Sequence, residues 1–203
     1  LDSYFMSRTF SYLRSNDLIY GPAIKSYMLG KAPPAFDLLY WNGDGTNLPA
    51  KMSVEYLRGL CQADRFATDG FEICGTTVHL KDVTVPLCAI ACETDHIAAW
   101  KSSFAGVQKM GSKDKTFILS ESGHIAGIIN PPSKNKYGHY TNPELGLTAD
   151  DWRLSAVRHD GSWWPRWDAW LAPKSGKSVP ARTPGDADHP VLAPAPGTYV
   201  SAK

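Results

Sequence analysis

Asp95 and His124 are the two residues whose types and spacing most clearly suggest chemistry. Each stands in a polar turn just after a short apolar run, LCAIA before Asp95 and TFIL before His124. Alone, an Asp or His after a strand is more often a cap or a surface residue. Twenty-nine residues apart, with Gly123 directly before the His, they match the later two-thirds of a nucleophile–Asp–His triad. In such a triad the imidazole takes the proton of the nucleophile. The carboxylate holds the ring and stabilises the imidazolium.

Such a pair needs two strands ending side by side. Leu87 to Ala91, bounded by Pro86 and by Glu93-Thr94-Asp95, reads as a buried strand of a parallel sheet. Ile97 to Met110 then reads as a helix, with Trp100, Phe104 and Val107 on one face. Thr116 to Leu119 is the second strand, followed by the polar turn Ser120 to His124. A βαβ unit of this kind puts both turns at the carboxyl edge of the sheet, where open α/β folds bind ligands.

Composition permits this chemistry and excludes little else. The 203 residues carry a net charge of +1, with 43% hydrophobic and 20% charged residues, as in a globular domain. The charge implies no attraction to nucleic acid or to a membrane surface, and no apolar run is long enough to span a bilayer. A signal peptide is not expected. Seven Trp and nine Tyr suggest apolar surface beyond a simple core. Cys61, Cys74, Cys88 and Cys92 form neither a CxxC pair nor, with His, a zinc-ligand spacing. They read as reduced thiols of a cytoplasmic protein, with Cys88 and Cys92 on one face of the first strand. None lies in a G-x-C-x-G or G-x-S-x-G turn.

Ahead of the unit the chain reads differently. Residues 3–15, 18–29 and 52–60 have helical patterns, and Phe36 to Trp41 is a dense apolar patch followed by the turn-rich NGDGTNLP. A movable segment between Trp41 and Cys61 is expected. Phe71 to Leu80 reads as a hairpin turning at Cys74 to Thr77, with Ile73 and Val78 facing inward. A change of composition puts a boundary near Lys81. Beyond His124, residues 125–142 read as a long loop and residues 149–158 as a helix. Trp163, Trp167 and Trp170 fall on one helix face with Pro165 in its first turn, and from Pro173 the composition is that of a tail.

The blocks LRSNDLIY, PAFDLLYWNGDGTNLP, ETDHIAAW, SGHIAGIINPPSKNKYGHYTN, HDGSWWPRWDAWL and APGTYV together resemble class I polyhydroxyalkanoate synthases, from about Tyr12 onward. The resemblance implies an α/β-hydrolase fold, with residues 1–81 as a mainly helical cap, 82–172 as the second half of the core and 173–203 as a carboxyl-terminal tail. It implies an acyltransferase that polymerises (R)-3-hydroxyacyl-CoA thioesters and releases CoA through a Cys-Asp-His triad. It assigns the Asp to Asp95 and the His to His124, with no cofactor and no metal. In the family the Cys stands in a G-x-C-x-G turn ahead of the cap, which this sequence lacks. The amino-terminal part of the enzyme would therefore supply it, and this chain alone is expected to be inactive. A homodimer at polyester granules in the cytoplasm is also implied. Two routes are open for the incoming hydroxyl, deprotonation by His124 or by Asp95. His96 is either a hydrogen-bonding group of the site or a helix-start residue, and Tyr40, Trp41 and Trp100 are candidates to line an acyl cavity. An esterase or depolymerase with a Ser nucleophile, or a non-catalytic dimerisation or granule-binding fragment, are the alternatives.

Overall fold

The computed structural model describes residues 2–13, 15–32 and 45–198. The patch at Phe36 to Trp41, with Tyr40 and Trp41, lies outside the described residues, as does part of the turn-rich segment after it.

The first part is helical. Helix α1 (Ser3–Leu13) is followed by a continuous helical run, π-type at Asn16–Tyr20 and Ile24–Met28 and α-helical at α2 (Gly21–Ala23). Gly30 at φ +60 takes the chain out of it. Helix α3 (Ala50–Glu55) continues as a π-type turn, Tyr56–Gln62. A two-stranded antiparallel hairpin follows, β1 (Phe71–Ile73) with β2 (Thr76–Val78), turning at Cys74 and Gly75, both at positive φ. The expected inward pair is corrected. Ile73 is exposed at the turn end, whereas Phe71 pairs with Val78 and packs against Phe66.

The four-stranded sheet has the order β3 (Leu87–Cys92), β4 (Lys115–Ser120), β5 (His139–Thr141) and β6 (Val157–His159). β3 and β4 are parallel, from Leu87↔Lys115 to Cys92↔Ser120, and are joined through helix α4 (Trp100–Lys109). This is the expected βαβ unit. The helix begins at Trp100 instead of Ile97, because residues 96–98 bend around the Asp95 carboxylate. β5 and β6 are antiparallel additions. β5 takes only the end of the segment 125–142 expected as a long loop, which is otherwise turns and irregular chain, and β6 takes the place of the predicted last turn of the helix over 149–158. That helix, α5 (Ala149–Ser155), starts on the Thr148 hydroxyl, which accepts from the Asp151 amide, and ends as Ala156 turns extended.

Among the described residues, the buried hydrophobic side chains run from Ala91 to Trp163. Their centre is aromatic. Phe104 of α4, Phe117 of β4 and Trp152 of α5 meet with ring centroids 5.2–5.4 Å apart. Helix α6 (Trp164–Leu171) follows β6, with Pro165 in its first turn as expected. The chain is a mixed α/β structure.

Candidate active site

Parallel register sets the site. Cys92 pairs with Ser120, so the turns after them leave the sheet at the same edge. Backbone bonds lace the two turns together, Glu93 N–H to the Ser120 carbonyl at 2.8 Å and Thr94 N–H to that of Ser122 at 3.1 Å. Asp95 and His124 then meet, with Nδ1 of His124 2.8 Å from Oδ2 of Asp95. The other carboxylate oxygen of Asp95 accepts the amides of Ile97 at 2.8 Å and Ala98 at 2.9 Å. The Asp95 side chain keeps 8% of its exposure and that of His124 keeps 43%. The carboxylate is thus enclosed, and the far side of the ring is open.

Burial pushes the Asp95 carboxyl up, but the bonds from Ala98, His124 and Ile97 outweigh it and hold the group below the usual carboxylate range. At neutral pH Asp95 is therefore ionised and can only accept. A neutral His124 must then carry its proton on Nδ1, which leaves the Nε2 lone pair free to take a proton.

The turn that carries His124 is tightly built. Ser122 sits at φ +74, unusual for a non-glycine residue. Past His124 the chain coils back, Gly127 N–H donating to the Gly123 carbonyl at 3.0 Å. A side chain at Gly127 would put a Cβ 2.6 Å from the Cys92 sulfur and 2.7 Å from the Glu121 carbonyl, so only glycine fits there. The Gly127 carbonyl accepts from the Ser120 hydroxyl at 2.8 Å and from the Trp163 indole at 2.9 Å. Ile128, Ile129, Trp163, Trp164 and Trp167 line an open apolar hollow of about 260 Å³ one turn beyond His124.

His96 is exposed in the bend between Asp95 and Ile97. Trp100 is half-buried and packs on the core, with its ring 6.4 Å from that of Trp152. Cys92 is buried, and burial with the nearby Asp95 charge pushes its thiol up to about 11, which keeps it protonated and unreactive. Cys61 and Cys74 are exposed, and Cys74 lies in the hairpin turn. Among the described residues, no group of three or more His, Cys, Asp or Glu could hold a metal ion. No helix there is long and apolar enough to cross a membrane.

Sequence reasoning missed Glu121. Its partners, Gly138, Tyr140 and Arg158, lie 17 to 37 residues away with no local pattern to announce them.

No family model matches the chain. It is 44% identical over 205 residues to the poly(3-hydroxyalkanoate) polymerase of Methylorubrum extorquens, across the whole of this chain and 34% of that protein. To the poly(3-hydroxyalkanoate) polymerase subunit of Cupriavidus necator it is 42% identical over 201 residues, 98% of this chain and 34% of the relative. To poly(3-hydroxyalkanoate) polymerase 2 of Ectopseudomonas oleovorans it is 40% identical, covering 98% of this chain and 36% of the relative. Along essentially its whole length, then, the chain is a relative of the poly(3-hydroxyalkanoate) polymerases, and it spans about a third of theirs.

Proposed function

We propose that this chain is the Asp-His-bearing part of a polyester polymerase with an α/β-hydrolase core. The enzyme transfers (R)-3-hydroxyacyl groups from CoA thioesters to a growing polyhydroxyalkanoate chain. The observation that carries the reading is the Asp95–His124 contact, 2.8 Å long, at the carboxyl ends of two adjacent parallel strands. The names of the relatives supply the reaction class. Residues 1–81 are read as the cap, 82–172 as the core's second half and 173–203 as the tail.

The nucleophile is a Cys from the remaining part of the polymerase. Its S–H donates to Nε2 of His124, and the thiolate attacks the thioester carbonyl. The carbon–sulfur bond to CoA breaks, and the leaving CoA thiolate recovers the proton from His124. The acyl group now rides on the enzyme sulfur. The 3-hydroxyl of the growing chain next gives its proton to His124 and attacks the acyl carbonyl, and the Cys sulfur leaves and takes that proton back from His124. Asp95 stabilises the imidazolium in both steps. Support for further strands comes from β3, whose apolar sequence LCAIAC stands at the edge of the described sheet.

The test is CoA release from (R)-3-hydroxybutyryl-CoA by the complete polymerase. His124→Ala should reduce release to background, and Asp95→Asn should lower turnover by roughly 10⁴-fold, the loss seen when a His-orienting carboxylate is neutralised. Near-normal turnover in either variant removes that residue from the mechanism.

A further inference from the structure

Besides the dyad and the backbone bonds between them, a route of side chains joins the two turns. Glu93, two residues before Asp95, accepts from Arg153 of α5, with Nη2 at 2.7 Å and Nε at 2.8 Å. The Arg153 guanidinium lies over the Tyr140 ring of β5, 3.4 Å from its centroid. The Tyr140 hydroxyl donates to Oε1 of Glu121 at 3.0 Å, three residues before His124. Glu121 also accepts from the Gly138 amide at 2.6 Å and from Arg158 of β6, Nε at 2.7 Å and Nη2 at 3.3 Å. The route Glu93–Arg153–Tyr140–Glu121 therefore runs from one turn to the other without passing through the Asp95–His124 bond.

Ordinary surface ion pairs would hold β5 and β6 in place equally well at any position. Two features argue for more. Both carboxylates of the route stand inside the turns that carry the dyad. Glu121 also anchors the near side of Ser122, whose φ of +74 persists only if its surroundings over-determine it. With its own amide on the Gly138 carbonyl at 2.9 Å and its carboxylate on three donor groups, Glu121 is fixed at both ends. That leaves the strained turn little freedom in how it presents the imidazole.

We propose that Glu121, linked through Tyr140 and Arg153 to Glu93, is a positioning residue that holds the His124 ring against Asp95 in the orientation proton transfer requires. Its kinetic consequence rests on the function proposed above, but the positioning itself can be read without turnover.

The test uses the complete polymerase with ring-15N histidine, in wild type, Glu121→Gln and Tyr140→Phe. The Nδ1 proton of His124, bonded to a carboxylate, is assigned by its absence from His124→Gln. Glu121→Gln should broaden or erase this signal. It should also lower kcat for CoA release by about ten- to a hundredfold, with KM within about twofold, because a small misplacement of a catalytic group costs this much. Tyr140→Phe keeps the platform under Arg153 and loses only the hydroxyl, so it should change both readouts in the same direction by less. Glu121→Asp, with its charge retained, should recover part of the loss. If Glu121→Gln does not fold, the signal and kcat of Tyr140→Phe decide. A preserved Nδ1 signal and preserved kcat, with only a lowered unfolding temperature, would overturn the proposal. Should wild type release no CoA, the function reading fails while the Nδ1 signal still judges the positioning.

Discussion

The indole N–H of Trp163 donates to the carbonyl oxygen of Gly127 at 2.9 Å, tying the start of α6 to the chain just past His124. Trp164 repeats the contact one residue on, its indole bonded to the Ile128 carbonyl at 2.9 Å. The Trp-rich segment therefore clamps the turn that carries the imidazole with its polar handles as well as its apolar faces. In the complete polymerase, Trp163→Phe should lower stability by about 1–2 kcal/mol. The cost is limited because the Gly127 carbonyl keeps the Ser120 hydroxyl as a donor. Trp163→Ala, which also opens a cavity, should cost about 3–5 kcal/mol. Denaturant midpoints check both, and an unchanged midpoint in Trp163→Ala would show that the clamp carries no stability.

How much of this was legible in the sequence depended on pattern length. The six-residue strands β3 and β4 and the ten-residue helix between them carry enough apolar period to be read, and with them the meeting of Asp95 and His124. Strands β5 and β6 have three residues each, two of them polar in either strand (His139 and Thr141, Arg158 and His159), and no period can show in three residues. Their existence is a tertiary outcome, since each needs a neighbour to pair with. The Glu121 contacts were hidden for the same reason. The packing of Trp100 on the core could not be read either, because a stripe of aromatics looks alike whether it faces a cavity or a core.

Acid should weaken the site through Glu121. The Arg158 bond lowers its pKa most. Burial opposes this, and the Gly138 and Tyr140 bonds add to the lowering, giving a value of about 2. A folded pKa below the unfolded one means a stabilising contribution that is complete above the unfolded value and lost as pH falls toward 2. Asp95, also held below its ordinary value, acts in the same sense. Unfolding midpoints of the complete polymerase should therefore fall between pH 5 and pH 2, less steeply in Glu121→Gln than in wild type. Parallel curves for the two proteins would mean that Glu121 contributes nothing in this window.

A second titrating pair lies away from the dyad. His139 and His159, cross-strand partners in β5 and β6, stack with centroids 5.1 Å apart. Arg166 of α6 reaches both, at 3.2 Å from a ring nitrogen of each. Burial lowers both imidazoles, and the Arg166 charge lowers them further, although the Gly161 carbonyl pulls His139 back upward. The native state then binds protons less readily than the unfolded chain. Stability from this pair is present above about pH 6.5 and is lost as pH falls through the lowered folded values. His159→Gln should flatten the stability curve between pH 6.5 and pH 5, measured by urea midpoints. An unaltered slope would show that His159 takes up protons as readily in the native protein as in the unfolded chain.

The cysteines of this chain should separate by reactivity, and the separation bears on where the nucleophile comes from. Cys61 and Cys74 are exposed, whereas Cys92 is almost wholly buried under Gly127 with its thiol pushed up to about 11. Burial and the Asp114 charge also raise the Cys88 thiol, against a small opposite pull from Lys174. A thiol-specific reagent at pH 7 should therefore modify Cys61 and Cys74 in the native protein and reach Cys92 only after unfolding, with Cys88 slow between them. Peptide mapping by mass after a timed pulse reads all four. If the polymerase nucleophile is a Cys beyond this chain, then Cys61→Ala, Cys74→Ala, Cys88→Ala and Cys92→Ala should each retain CoA release. Loss of activity confined to one of these four, with the fold intact, would place the nucleophile within the 203 residues and overturn the division of the triad argued above.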